Sequence, residues 1–261
     1  MVTKLLLQNF RNFEEKVLSF SPTITVIEGA NGSGKTNILE ALHLSSTGKS
    51  FKAYRDEEMI RYDQDIARVK ARILESNDIF EDIQTDLEVL LTKGMIERGG
   101  FTQKSSKKKL LIEGVPKRRM DFVGKNKTVL FRPQDMDLVT GSPSLRRGFL
   151  DTILMQIDHE YSRSISAYEK GVRRRNKILQ FIRDEGGSRN LLFFWDKLLI
   201  KNGEYIESKR NDFIEFVNEQ TQLSDNKMYV FYDKSVISEE RLLQYKREEV
   251  AAGTTLVGPH R

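Results

Sequence analysis

The sequence has no cysteine, which excludes disulfide bridges and every cysteine-ligated zinc or iron–sulfur site, and which suits a reducing cytosol. Histidine is scarce. His43, His159 and His260 are too scattered along the chain to suggest a metal centre, and each is read as structural. Long apolar runs are missing as well. Leu5–Leu7 is too short for the apolar core of a signal peptide. The stretches 191–195 and 198–200 fall far short of the roughly 20 apolar residues of a membrane span. No membrane partner is expected, and the chain reads as soluble and cytoplasmic.

What the sequence does have is charge, unevenly placed. Charged residues make up 31% of the 261 positions, above the usual quarter or so, and the length allows one large domain or two smaller ones. The net charge is +5, yet Phe101 to Lys127 alone carries nine bases against two acids. A segment holding more than the whole surplus is either a contact for a polyanion, where neutralised phosphates release counterions, or a solvated basic loop. The candidate DNA contacts within it are Lys107, Lys108, Lys109, Arg118 and Arg119.

The sharpest motif is Gly29-Ala30-Asn31-Gly32-Ser33-Gly34-Lys35-Thr36, with the spacing G-x-x-x-x-G-K-[ST] of a phosphate-binding loop. Its flanks suit that reading. Ile24–Ile27 alternates β-branched residues like a buried strand, and the residues after Thr36 have helical spacing. Glycines let the backbone curl around an anion, and exposed N–H groups at the positive end of a helix bind phosphate oxygens. In this chemistry Lys35 reaches the β- and γ-phosphates of a nucleotide such as ATP, and the Thr36 hydroxyl ligates Mg²⁺.

The remainder reads coarsely as strands followed by helices. Lys4–Phe13 is expected to be a strand running into a turn, and Val17–Phe20 a second short strand. Ala67–Leu74 and most of Ile79–Leu91 alternate with period two, the pattern of antiparallel strands with one wet face. Leu110–Val115 reads as a strand entering a turn and Val129–Phe131 as another short strand, while Gly99-Gly100 and Ser105-Ser106 mark loops. At Ser142-Pro143 the character changes to that of a helix start. Apolar residues from Leu145 to Ile182 recur every three or four positions, giving one helix of nearly 40 residues if continuous, ended by Gly186-Gly187-Ser188. Leu191 to Val217 repeats the spacing, so the pair forms an antiparallel helical hairpin. Arg173-Arg174-Arg175 with Lys177 is a second basic cluster, either a solvated helix end or a DNA contact. Lys227–Tyr232 reads as a strand, Glu239–Glu249 as a short helix stopped by Gly253, and Thr255–Val257 as the start of another strand.

Several segments together resemble the RecF family, bacterial recombination-mediator ATPases related to the structural-maintenance-of-chromosomes (SMC) heads. Leu5–Phe13 (LLLQNFRNF) is similar to the family's first strand and turn, and Gly29–Phe51 matches its phosphate-loop segment well past the generic motif. Val129–Asp151 (VLFRPQDMDLVTGSPSLRRGFLD) and Thr255–Arg261 (TLVGPHR) are the narrowest signatures. The resemblance covers essentially the whole chain and is weakest over 66–127. Gln134 departs from it where an acidic residue is expected; it is either the equivalent of the superfamily's Q-loop glutamine, which senses Mg²⁺ and attacking water, or a plain surface glutamine. Ala30 and Ser33 stand where larger polar residues are expected, at backbone-facing or solvent-facing positions.

The resemblance implies an α/β fold: a P-loop NTPase head lobe of the ABC/SMC type with an antiparallel strand layer, a mixed sheet round the P-loop helix, and a helical-hairpin lobe. The expected divisions are 1–141 for the head, 142–222 for the hairpin and 223–261 for a return into the head. It implies an ATP- and Mg²⁺-dependent DNA-binding protein of replication, recombinational repair and the SOS response. Such a protein binds single-stranded and duplex DNA at gap junctions, works with recombination-mediator proteins to load the recombinase, and forms an ATP-dependent homodimer. An adenine pocket is expected near Arg11 and Asn12. Relatives continue past the GPHR segment into a signature motif and a Walker B strand, so the chain is expected to be C-terminally incomplete and to hold ATP without hydrolysing it efficiently. The alternatives are an SMC-like ATPase of a defence or chromosome-associated system and a non-hydrolysing nucleotide-binding module.

Overall fold

A computed structural model describes residues 1–77, 80–98, 101–220, 229–233 and 235–260. The chain divides into two compact units, Met1–Phe131 and Arg132–Arg261.

The first unit is built on strands β1 (Val2–Phe10), β2 (Phe13–Ser19), β3 (Ile66–Asn77), β4 (Phe80–Thr92), β7 (Lys108–Ile112) and β8 (Val115–Lys117), in the order β2-β1-β3-β4-β7-β8. A separate hairpin pairs β5 (Met95–Arg98) with β6 (Phe101–Lys104). Every pairing among the described residues is antiparallel, so the strand layer stands as expected and the mixed sheet does not. The period-two reading of β3 and β4 has a simple physical outcome. Ala67, Val69, Ala71 and Ile73 are buried on one face, while Arg68, Lys70 and Arg72 on the other meet Glu88 and Asp86 across the strands at 2.8 Å. Helix α1 (Lys35–Thr47) lays Ile38, Ala41 and Leu44 on the apolar face, where they join Leu5, Leu7, Val69, Leu87 and Val89 in one core. A four-residue helix, α2 (Arg119–Phe122), follows β8 and adds Phe122 to that core.

Two expected strands in this unit are not formed. Ile24–Ile27 and Val129–Phe131 carry no strand pairing, and Ile24 (78%), Val26 (80%) and Val129 (86%) are largely exposed. β-branched alternation makes a segment fit for a sheet, but a strand exists only where a neighbour supplies the ladder hydrogen bonds. Among the described residues none does so here.

The second unit is helical: α3 (Asp137–Thr140), α4 (Pro143–Ile157), α5 (His159–Glu185), α6 (Phe193–Gln220), α7 (Glu239–Gln244) and α8 (Lys246–Ala252). Ser142 and Pro143 begin α4 as expected. The single long helix is instead two. Asp158 takes extended backbone angles (φ −128°, ψ 108°) between α4 and α5, and its carboxylate accepts from the Tyr161 N–H at 2.9 Å. That caps a new helix rather than continuing the old one. Gly186, left-handed at φ 72°, ends α5, and α5 and α6 form the hairpin. They cross closely because Gly171 has no side chain: a Cβ there would lie 2.7 Å from a methyl of Leu198.

The core of this unit joins Leu154, Tyr161, Ile165, Tyr168, Leu199 and Ile206 to Ile237, Leu242 and Val257. The expected strand at Thr255–Val257 is absent, because side chains rather than a neighbouring strand satisfy its polar groups. Of Lys227–Tyr232, residues 227–228 lie outside the described residues and the rest forms no strand. The expected helix at Glu239–Glu249 is two short ones broken at Tyr245, and Gly253 stops the second at φ 66°. Gly99 and Gly100 also lie outside the described residues. Among the described residues no helix is long and apolar enough to cross a membrane.

Candidate nucleotide site

The loop 29–36 sits between the extended segment after Pro22 and the first turn of α1. Its glycines have the backbone that the motif demands: Gly29, Gly32 and Gly34 take φ of 152°, 83° and 100°. Gly34 is the most constrained. It is the residue before α1, and a Cβ on it would come within 2.6 Å of the Phe13 ring and 2.8 Å of the Asn12 side chain. The turn is closed by Ser33 N–H donating to the Ala30 carbonyl at 3.2 Å, and α1 begins with Ile38 N–H donating to the Gly34 carbonyl at 3.1 Å. The N–H groups of the first helical turn have no partner within the helix and, with the helix dipole, form an anion-seeking end. Lys35 folds back over the loop and donates to the Gly29 and Ala30 carbonyls at 2.6 and 2.9 Å. The Thr36 hydroxyl belongs to an exposed side chain.

The turn after β1 braces this loop. Asn12 donates through Nδ2 to the Ser33 carbonyl at 3.3 Å and accepts through Oδ1 from Asn37 at 2.9 Å, so one side chain ties the loop to α1. Arg11, left-handed at φ 55°, turns its guanidinium inward. It donates through Nε and Nη2 to the two oxygens of Glu40, at 2.8 and 2.7 Å, and through Nη1 to the Glu58 carbonyl at 2.6 Å. Ser50 also donates to Glu40, whose side chain is fully buried on α1. Arg11 is therefore committed to holding α1 from beneath. Nothing in the sequence distinguished Glu40 from a solvated helix glutamate.

The basic residues of the first unit divide by their partners. Lys107 pairs with Glu57, holding that carboxyl below the usual range chiefly through their hydrogen bond, and Lys108 pairs with Asp56 at 2.8 Å. Lys109 and Arg118 are exposed. Arg119 donates through Nε to the Thr47 carbonyl at 3.1 Å, at the end of α1. Gln134 belongs to the second unit, exposed in a 3-10 turn spanning Pro133–Met136.

In the second unit two arginines are buried that the sequence left unmarked or placed at the surface. Arg175 is 2% exposed, so the basic cluster at 173–177 presents only Arg173, Arg174 and Lys177. Its guanidinium donates to Asp196 and Glu249, both at 2.7 Å, and to the Thr255 hydroxyl at 3.0 Å. Burial works against its charge, but the Glu249 and Asp196 carboxylates outweigh that and raise its pKa. Arg210, also 2% exposed, grips both oxygens of Asp151 and donates to the Pro259 carbonyl at 2.8 Å. Tyr161, hydrogen-bonded to Asp151, is pushed up by burial first and by the adjacent carboxylate second. Tyr168 meets His260 Nδ1 at 2.9 Å. The described part of the Thr255–Arg261 segment is thus held by α5 and α6 through hydrogen bonds, between Thr255 and both Arg175 and Asn176, from Arg210 to Pro259 and between Tyr168 and His260.

A family model described as the RecF/RecN/SMC N terminal domain matches residues 1–133. The DNA replication and repair protein RecF of Lachnoclostridium phytofermentans is 33% identical over 272 residues, covering 100% of this chain and 71% of that protein. The chain belongs to the RecF family. The RecF of Bacillus cytotoxicus is similar at 31% identity, with 100% of the chain and 70% of that protein covered. Two solved structures of the recombination mediator protein RecF of the RecFOR pathway share the fold. The one designated RecF-ATPrS has a TM-score of 0.87 at 26% identity, and the one designated RecF-ATP has 0.86 at 25%, each covering 100% of this chain and 71% of the other. The P-loop NTPase head fold of the RecF and SMC type is therefore the fold of this RecF-family chain.

The loop also suits the group such a site takes. The glycines at 29, 32 and 34 hold positive φ angles that side chains resist, Lys35 supplies the cation and the exposed Thr36 hydroxyl supplies one hard oxygen. Mg²⁺ characteristically takes such a site through one or two protein oxygens, with water and phosphate completing its shell.

Proposed function

We propose that the chain is an ATP-dependent DNA-binding protein of DNA replication and recombinational repair, with ATP·Mg²⁺ bound at Gly29–Thr36. The observation that carries this reading is the loop itself: glycines 29, 32 and 34 at positive φ, leading into α1 with Lys35 and Thr36 at its start, in a member of the RecF family. The likeness to a solved RecF-ATP structure supports it. Lys35 would neutralise charge on the β- and γ-phosphates. Thr36 would ligate Mg²⁺, which would offset phosphate charge, and the backbone N–H groups of 31–34 would donate to phosphate oxygens. Asn12 holds the loop to α1, Arg11 acts through Glu40, and an adenine pocket would be formed near the two.

The finer reading follows the family. The chain binds gapped DNA, where single strand meets duplex, through exposed bases of the 101–127 segment. It assists recombinase loading with recombination-mediator proteins in repair and the SOS response, and pairs with a second copy when ATP is bound. The setting is the cytoplasm, with ATP and Mg²⁺ as cofactors.

The test is an anisotropy titration of a labelled gapped duplex with the chain, with and without ATP·Mg²⁺. ATP is expected to tighten binding several-fold in the wild type and to have no effect in Lys35→Ala. Equal affinity in all conditions contradicts the ATP-dependence.

A further inference from the structure

The second unit carries a surface cavity of about 300 Å³ that borders the buried Arg175 and its partners Asp196 and Glu249. It lies between the C-terminal half of α5, the 3-10 turn Arg189–Leu192, the start of α6, and the two short helices α7 and α8. Its floor is aliphatic and well packed: Leu179, Leu192 and Leu242 are 0–6% exposed. At its mouth the apolar surface continues into water, with Phe193 63% and Leu243 65% exposed. Large apolar side chains left in water beside a concave apolar floor mark a place where another apolar group is accepted.

The charges around the cavity select its occupant. Asp196 and Glu249 are neutralised from behind by Arg175. Arg189, Lys197 and Lys246 also line the cavity and form no ion pair among the described residues, against a single further acid, Glu239. An apolar floor beneath a cationic rim is complementary to apolar side chains flanked by carboxylates. It is a poor platform for nucleic acid. Stacking a base needs an open aromatic face, and the Phe193 face is already covered by the Lys197 ammonium, 4.3 Å from the ring centroid. The other lining apolar groups are aliphatic.

We propose that this cavity is the docking site for a short acidic segment of a partner protein, inserting one or two apolar side chains between α5, α6 and α7 while its carboxylates meet Lys197, Lys246 and Arg189. The volume suits one large apolar side chain or two smaller ones at helical or extended spacing. The partner's class is set by the cavity: an amphipathic acidic peptide.

A phage-displayed random peptide library, selected on the full chain, tests this without knowledge of the natural ligand. Lys197→Glu/Lys246→Glu and, separately, Leu243→Glu change exposed or half-exposed side chains, and thermal melts confirm that each variant is folded. Enriched peptides are expected to combine an aromatic or aliphatic residue with two or more acids. They are expected to bind the wild type at least about tenfold tighter than either variant, as losing a charge pair or an apolar anchor at an interface implies. If Leu243→Glu does not fold, the double lysine variant decides alone. No enrichment, enrichment of peptides without acids, or equal binding to the variants overturns the proposal. So does competition by a thymidine oligonucleotide that the same variants weaken, which makes the face a nucleic-acid surface.

Discussion

The Arg11 guanidinium grips the Glu40 carboxylate by two hydrogen bonds, 2.8 and 2.7 Å long, directly beneath the helix that the phosphate loop opens. Glu40 has no exposed side-chain surface, so Arg11 and Ser50 supply the hydrogen bonds that water cannot. Arg11→Ala strands a buried carboxylate and is expected to cost about 3–5 kcal/mol, read by urea denaturation. Arg11→Lys, which keeps the charge and loses the fork, should fall between the two. A loss under about 1 kcal/mol for Arg11→Ala would show that Glu40 is satisfied without it.

Neighbouring arginines on α5 should behave as opposites. Arg175→Ala leaves Glu249, 1% exposed, without its ion-pair partner and is expected to destabilise the chain by about 3–5 kcal/mol. Arg174→Ala, at an exposed position, should stay within about 0.5 kcal/mol. Chemical denaturation followed by circular dichroism separates them, and equal effects would contradict the burial described here.

The DNA reading divides the basic segment in two. Lys107 and Lys108 already face Glu57 and Asp56, whereas Lys109 and Arg118 form no ion pair among the described residues. Lys109→Ala/Arg118→Ala should therefore weaken DNA binding and reduce the slope of log K against log salt by about 2. Lys107→Ala/Lys108→Ala should change it by less. A slope unaltered by all four substitutions removes this segment from the interface.

Acid should loosen the wet face of the sheet. The hydrogen bond from Arg72, with Lys70 beside it, holds the Asp86 carboxyl at about 2 against an ordinary 3.8. A carboxylate with a depressed folded-state pKa binds protons more readily when unfolded. Its contribution is complete above about pH 4 and disappears as pH falls towards 2. Asp86→Asn should flatten the loss of stability over that window while leaving the slope near neutrality unchanged, measured by thermal melts across pH.

Legibility in the sequence followed the kind of interaction. The loop 29–36 could be read because phosphate chemistry fixes residue types at fixed spacing. The α5–α6 hairpin and the β3–β4 pair could be read because burial of one face imposes a period. Asp158 could not, since one capping side chain overrides a periodicity that runs on through it. Ile24–Ile27 failed as a strand because a strand needs a partner as well as a pattern. The burial of Glu40, Arg175 and Arg210 was not legible because ionisable residues read as solvated, and the charges that pair with them lie far away in sequence.

The central claim is that Gly29–Thr36 holds the phosphates of ATP with Lys35 as the essential cation. Titration of the chain with a fluorescent ATP analogue in Mg²⁺, beside Lys35→Ala, tests it most directly. Saturable binding by the wild type, competed by ATP and weakened about a hundredfold or more in a folded Lys35→Ala chain, is the expected result for removing a charged phosphate contact. Binding of equal strength in the two proteins, or none in the wild type, contradicts it.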